Sequence, residues 1–305
     1  MSLAPDIRAG LRLPVICAPM FTVTGPEMVR EACLAGVIGG LPRHNARSVE
    51  EFESWLRLIR DAIDRRHDET PDAKIGAIAV NLASNLSPAE FDENLALCQR
   101  YGVKIIINAT GNPTELIRRA HDKGFLVFAD AVNLRFAEKA IALGVEGINA
   151  IGAGGGGHSG TVSHLAFVAA VRARFSGTIA MGGAISSGAA IRAAEILGAD
   201  LAFLGTRFIA TQESRAPEGY KQMIVNSHIG DLSYTDQLGG APANWLTASL
   251  DAAADKPEAR AWRDVWSAGQ GIELIDDIPN VADLVDRLEA EYRAAANVPV
   301  FGAGG

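Results

Sequence analysis

Residues 125–151 read FLVFADAVNLRFAEKAIALGVEGINAI and contain a strand, a helix and a second strand. The apolar run 125–130 predicts the first strand, and Asn133 is suited to cap the helix that follows it. Gly144 closes that helix before a second apolar run at 147–151. A unit of this kind joins two parallel strands through a helix, so the stretch predicts an α/β fold.

The same pattern recurs along most of the chain. Strands are predicted at 15–18, 37–39, 75–81, 104–108, 125–130, 147–151, 178–182 and 201–205. From the third strand onward their centres are roughly 20–30 residues apart, the size of one strand–helix unit. A doubly wound open sheet usually carries its phosphate-binding glycines after the first strand, whereas here glycines gather after the sixth, seventh and eighth. We therefore predict a (β/α)8 TIM barrel.

The alternation of strands and helices stops at 228–271, where loops and short helices are expected as a small inserted segment. Helical spacing returns at 281–296, which predicts a final helix packed on the barrel. The chain is thus expected to form one domain, with residues 1–227 and 272–305 in the barrel and 228–271 inserted.

Composition excludes several function classes. Among 305 residues, 28 are Lys or Arg and 36 are Asp or Glu, a net charge of −8 that disfavours nucleic acid as a partner. Three cysteines without C-x-x-C spacing favour neither a disulfide framework nor a zinc site, and no metal-ligand cluster is evident. No signal peptide and no membrane span are found, so a cytoplasmic location is expected.

The densest glycine cluster, GAGGGGHSG at 152–160, follows the sixth strand. Gly156 and Gly157 would let a planar or phosphorylated ligand approach the backbone closely. The cluster contains G-x-G-x-x-G by letter, but no helix starts at its third glycine and no acid lies about 20 residues on, so it is not interpreted as a dinucleotide fingerprint.

Glycines also end the seventh and eighth strands. Gly182, Gly183, Gly205 and Thr206 stand where barrels of this type bind phosphate through backbone N–H groups. The alternative is that these glycines only permit tight strand ends.

His158 is the candidate acid–base residue, since a neutral imidazole on the catalytic face can accept or donate a proton near pH 7. Alternatively it only orders its loop. The other histidines are expected at the surface or in local hydrogen bonds; they are His44, His67, His121, His164 and His228.

Other candidate residues end strands at the predicted barrel mouth. Asn81 and Asp130 are polar residues at the ends of apolar runs. The alternative is that they only terminate strands or cap helices. Small and apolar side chains at Ala18, Pro19 and Met20 could pack against a flat ring, or these residues could merely form a turn.

Seven motifs together resemble the nitronate monooxygenase family over about residues 11–275. They are Ala18-Pro19-Met20, Val80-Asn81, Gly156-Gly157-His158-Ser159-Gly160, Gly182-Gly183-Ala184-Ile185, Gly198-Ala199-Asp200, Gly205-Thr206-Arg207-Phe208 and Trp266-Ser267-Ala268-Gly269-Gln270-Gly271. The resemblance implies a TIM barrel that binds FMN, with its phosphate on the glycine ends after the seventh and eighth strands and its ring near Pro19, Met20 and Asn81. It further implies that His158 is the catalytic base, and that alkyl nitronates, or nitroalkanes, react with O2 to give a carbonyl compound and nitrite.

One departure from the family concerns the cluster before His158. Many members carry glutamine and an acid where this chain has Ile151 and Gly154. Asn149 or Asp130 could take over the glutamine's flavin contact, with Asn149 expected on the opposite side of its strand.

Two other functions stay open. The same scaffold could reduce a quinone or an enoyl thioester with NAD(P)H, for which Arg43, His44 and Arg47 are the plausible site if they are not simply a solvated loop. A flavin- or phosphate-binding barrel without turnover is the third possibility. A homo-dimer is possible, although no interface can be identified.

Overall fold

The computed structural model describes residues 3–108, 111–238, 241–254 and 258–298. Eight parallel strands close into a barrel in the order β1, β2, β3, β4, β5, β6, β8, β9, and β9 pairs with β1. These strands are β1 (Val15–Cys17), β2 (Ile38–Pro42), β3 (Ile78–Leu82), β4 (Ile105–Asn108), β5 (Leu126–Ala131), β6 (Gly147–Ile151), β8 (Thr178–Gly182) and β9 (Leu201–Leu204). The prediction of a (β/α)8 barrel is confirmed.

Helices alternate with the barrel strands. They are α1 (Pro5–Ala9), α2 (Pro26–Leu34), α3 (Val49–Glu69), α4 (Pro88–Arg100), α5 (Thr114–Asp122), α6 (Leu134–Ala142), α7 (His164–Arg172), α8 (Gly188–Ile196), α9 (Thr206–Ile209), α10 (Glu218–Val225), α11 (Thr247–Ala253) and α12 (Val281–Ala296). Caps expected from the sequence are present: the Asn133 side chain accepts the Phe136 N–H at 3.0 Å, and Ser87 and Glu90 form a capping box on α4. No helix in the described residues is long and apolar enough to cross a membrane.

Two strands differ from their predicted bounds, and close backbone packing explains the first difference. β2 continues to Pro42, because Gly39 and Gly40 are not a strand end. A Cβ at Gly39 would lie 2.8 Å from Val29, and one at Gly40 would lie 2.7 Å from the Pro19 ring, so glycine is required inside the strand. β3 starts only at Ile78.

Alternation along the strands divides the core into two parts. Side chains that point into the barrel form one cluster with Leu3 and Ile7; its strand members are Ile16, Ile38, Ala79, Ile105, Ile107, Phe128, Ala180 and Leu201. Their neighbours along each strand, such as Val80, Ile106 and Val127, pack outward against the helices. Residues at the upper strand ends therefore face either the mouth or the helix layer according to parity.

Residues 228–271 contain strands, so the expectation of loops and short helices alone was wrong. β10 (Leu232–Thr235) and β11 (Ala243–Leu246) pair antiparallel, and the short strand β7 (Gly157–His158) pairs with β11. A small core of Ala243, Trp245 and Val265 supports this sheet. The segment is thereby attached to the glycine cluster that precedes α7.

The final helix packs on the barrel's outer layer, against α8 and α2. Gly188 at the start of α8 permits the contact, since a Cβ there would lie 2.2 Å from the Tyr292 nitrogen. Its N–H donates to Glu291 at 2.7 Å.

Candidate functional site

The predicted residues at the ends of β3 and β5 lie on the barrel's inward face. Asn81 is 5% exposed and continues the inward series of Ala79, and its Nδ2 donates to the Ile107 carbonyl at 3.1 Å. Asp130 continues the series of Phe128 and is half-buried. Both side chains therefore belong to the barrel mouth.

The segment after β1 is held by residues that the sequence did not single out. The Thr24 hydroxyl donates to the Ala18 carbonyl at 3.2 Å and accepts the Met20 N–H at 3.0 Å. Asn45 Nδ2 donates to the Met20 carbonyl at 2.9 Å. A Cβ at Gly205 would lie 3.4 Å from the Met20 sulfur, so Met20 stands beside the end of β9.

The three glycine-bearing segments converge. Gly183 has φ +109°, and a Cβ there would lie 2.7 Å from the Gly155 nitrogen. A Cβ at Gly156 would lie 3.0 Å from the Thr206 hydroxyl, which itself accepts the Gly269 N–H at 2.8 Å. The structure thus brings the ends of β6, β8 and β9 within contact of one another.

His164 was expected at the surface or in local hydrogen bonds, and it proves to lie among these glycines. Its Nε2 is 2.9 Å from the Gly182 carbonyl oxygen and 2.8 Å from the Cβ position of Gly183. Burial lowers the pKa of its imidazole, which favours a neutral ring that donates its Nε2 proton to that carbonyl. Only the fold reveals this contact, since no motif in the sequence marks it.

His158 lies in β7, opposite Ala243, with its side chain exposed. Its ring meets Trp262 edge-on, with centroids 5.2 Å apart. The inserted segment also holds the neighbouring backbone: Asn244 Nδ2 donates to the Gly155 carbonyl at 2.7 Å and to the Ser159 hydroxyl at 3.2 Å. Sequence reasoning missed Asn244 because it is more than 80 residues away from this segment.

Asp130 and Asn149 form a pair across β5 and β6. Asn149 Nδ2 donates to Asp130 Oδ1 at 2.8 Å, and burial raises the pKa of the Asp130 carboxyl to about 7 despite this bond. The expectation that Asn149 would face away was wrong. Residues two apart in a strand share a face, so Asn149 and Ile151 both belong to the inward side.

The residues present fit a ligand with an anionic group and a polar ring. A Cβ at Gly183 would lie 2.7 Å from the Gly155 nitrogen, so the glycines let the backbones of these segments approach one another closely, as backbone anion sites require. At the mouth, Asn149 Oδ1 is buried and has no hydrogen-bond partner among the described residues, so it can accept a bond from a ligand N–H. In the same described part of the chain, no group of three metal-binding side chains occurs. These features fit a flavin phosphate.

A closed barrel with glycine-bearing strand ends and a polar mouth has the features of an α/β-barrel enzyme, whose active site lies at this end of the strands. Residues 9–264 match the nitronate monooxygenase family, and the chain belongs to it. It is therefore an oxidoreductase that uses a flavin and acts on a small molecule.

Individual relatives span two activities. A protein of Mycobacterium tuberculosis named as a monooxygenase, Rv1533, is 30% identical over 72% of this chain and 59% of its own length. A nitronate monooxygenase of Paraburkholderia phytofirmans is 28% identical over 86% of this chain and 82% of its own. A hydroxy-methyl-oxo-octahydroindene-carboxyl-CoA dehydrogenase of Rhodococcus jostii is 23% identical over 96% of both chains. Among solved structures, FabK from Thermotoga maritima shares the fold, with a TM-score of 0.76, 24% identity and 97% of both chains covered.

Proposed function

We propose that the protein is an FMN-dependent nitronate monooxygenase, which converts alkyl nitronates and O2 to carbonyl compounds and nitrite. The observation that carries this proposal is the convergence of Gly183, Gly156 and Thr206 on one segment that continues directly into His158. The proposed phosphate cradle, formed by these glycines and Thr206, is thereby joined directly to the proposed acid–base residue.

The FMN phosphate would be held by backbone N–H groups at Gly182, Gly183, Gly205 and Thr206, with Gly156 and Gly157 closing the cradle. The ring would lie against Ala18, Pro19 and Met20, near Asn81 and Asp130. When bound, FMN supplies the electron transfer and the reaction with O2. This chain's own residues bind and orient it.

His158 would remove the α-proton when the substrate is the neutral nitroalkane. Its ring is exposed and is contacted on one side by Trp262, which restricts where the imidazole can turn. An imidazole in hydrogen-bond reach of the α-carbon would take that proton and leave the nitronate anion. A preformed nitronate lacks this proton and does not need the step.

The second candidate is an NAD(P)H-dependent reductase of a quinone or an enoyl thioester. The match to a CoA-ester dehydrogenase over nearly the whole chain favours it. Against it, two of the three basic residues considered for the nicotinamide have structural partners. Arg43 bonds to Asn94 and to the Ala46 carbonyl, and the His44 ring lies 5.3 Å from that of Phe21.

Anaerobic absorbance spectra distinguish the candidates. We expect a yellow protein whose flavin is reduced by an alkyl nitronate and scarcely by NADH or NADPH. Reduction by a nicotinamide without response to nitronate would establish the reductase instead. A colourless protein that does not take up FMN would contradict the cofactor assignment.

The remaining partner and location proposals rest on composition. The net charge of −8 argues against nucleic acid, and the cysteine pattern favours the cytoplasm. Cys17, Cys33 and Cys98 are free and buried. A homo-dimer stays a prediction whose test is the mass in solution.

A further inference from the structure

Asn149 carries an unsatisfied acceptor. Its side chain is fully buried, its Nδ2 donates to Asp130 at 2.8 Å, and its Oδ1 has no partner within the described ranges. Buried amide oxygens nearly always accept a hydrogen bond, because leaving one unmet costs free energy. An unmet acceptor in an inward-facing position therefore suggests a partner that belongs to a ligand.

The surroundings of the acceptor place it at the barrel mouth. Asn149 is the register partner of Asp130 on β5 and of Ala180 on β8. Phe128 and Ala180 fill the barrel below, and Asp130 is the half-buried member of the pair. A flat ring over the mouth would thus meet the amide and the carboxyl together.

We propose that Asn149 and Asp130 form one recognition edge for the ring of the bound flavin. Asn149 Oδ1 accepts a hydrogen bond from the ring's N3–H, and Asp130 both holds the amide in this orientation and contacts the ring itself. The inference rests on the proposed FMN site. It gives the mouth a polar contact in place of the glutamine contact that is missing at Ile151.

Asp130 also makes this edge proton-dependent. Burial raises the pKa of its carboxyl to about 7, so a protonated Asp130 can donate from its second oxygen to a ring carbonyl beside the N–H. An ionised Asp130 can only accept and would repel that carbonyl. Flavin affinity should therefore fall as the pH rises through about 7.

Charged neighbours do not account for this behaviour. The flanking strands β4 and β6 contain no titratable residue. On helix α6, which packs against β5, Arg135, Glu138 and Lys139 are exposed. The titratable residues of α5 that have described partners are in ion pairs at the outer surface; these residues are Glu115, Arg118, Arg119, His121 and Asp122.

The test compares FMN with 3-methyl-FMN, which lacks the N3–H. We expect the wild-type protein to bind FMN roughly tenfold more tightly than the methylated probe, as the loss of one hydrogen bond predicts. Asn149→Ala, which removes the acceptor and leaves room for the methyl group, should bind both probes equally. Asn94→Leu removes a buried asparagine on α4 and should keep the wild-type ratio.

Titration between pH 6 and pH 8 adds a second readout. The affinity ratio of wild type to Asp130→Asn should fall with rising pH, while the ionisation of the FMN phosphate affects both proteins alike.

The outcomes separate the two proposals. An FMN preference that persists in Asn149→Ala, or a pH response shared by Asp130→Asn, overturns the recognition edge and leaves the FMN site intact. Failure of the wild-type protein to bind FMN overturns the proposed function and this inference together.

Discussion

His158 lies opposite Ala243 in the antiparallel pairing of β7 with β11. The candidate base is therefore a strand residue, held by a segment that follows the eighth barrel strand. Because Asn244 and Tyr234 also bond to residues 155 and 159, the inserted segment fixes the geometry of the glycine cluster. A base that must reach a carbon atom benefits from such a rigid support.

His158→Ala should slow the oxidation of neutral nitroalkanes by roughly 10²- to 10⁴-fold, the usual contribution of general base catalysis. Oxidation of preformed nitronates should change little, because no carbon is deprotonated. Steady-state oxygen consumption with both substrates measures the difference. Equal losses on the two substrates would contradict the base role.

Gly183→Asp should yield flavin-free protein. The side chain would start 2.7 Å from the Gly155 nitrogen, at φ +109°, and would put a negative charge where the phosphate is expected. Gly144→Asp is the matched control, because Gly144 has φ +83° and nothing lies within 4 Å of its Cβ position. The ratio of flavin absorbance to protein absorbance measures the bound FMN. Stoichiometric FMN in Gly183→Asp would contradict the proposed phosphate site.

Asp130→Asn should change how stability depends on pH. The folded protein keeps the Asp130 proton up to a pKa of about 7, whereas the unfolded chain loses it near 3.8. Between these values the folded state binds more protons, so wild-type stability falls as the pH rises. Urea denaturation at pH 5 and pH 8 should show wild type losing stability relative to the variant. An unchanged difference would mean that Asp130 titrates normally.

Asn244→Leu should loosen the segment around His158. The change leaves the Gly155 carbonyl and the Ser159 hydroxyl without this donor, at a cost of about 1–3 kcal/mol. Amide hydrogen exchange in residues 155–160 should become faster. Tyr234→Phe, which removes one 3.0 Å bond to the Ser159 carbonyl, should have a smaller effect. Unchanged exchange in Asn244→Leu would show that β7 pairing alone holds the segment.

Most of the barrel was predictable because its signals are local. The Asn133 side chain caps its helix by accepting the N–H of Phe136, three residues further along the chain. Short apolar runs mark the strands. The glycine strand ends follow from the same local patterns. By contrast, Gly39 and Gly40 resemble a strand end in the sequence, and only their contacts with Val29 and Pro19 show why β2 continues through them.

The sequence by itself determined the barrel, the glycines at the ends of its strands and the presence of His158 in a glycine cluster. The tertiary structure alone decided that His158 pairs with Ala243, that His164 contacts Gly182 and that Asn149 keeps an unmet acceptor beside Asp130. The physical reason is range: helix caps and strand periods act over a few residues, whereas these contacts depend on how distant segments pack together.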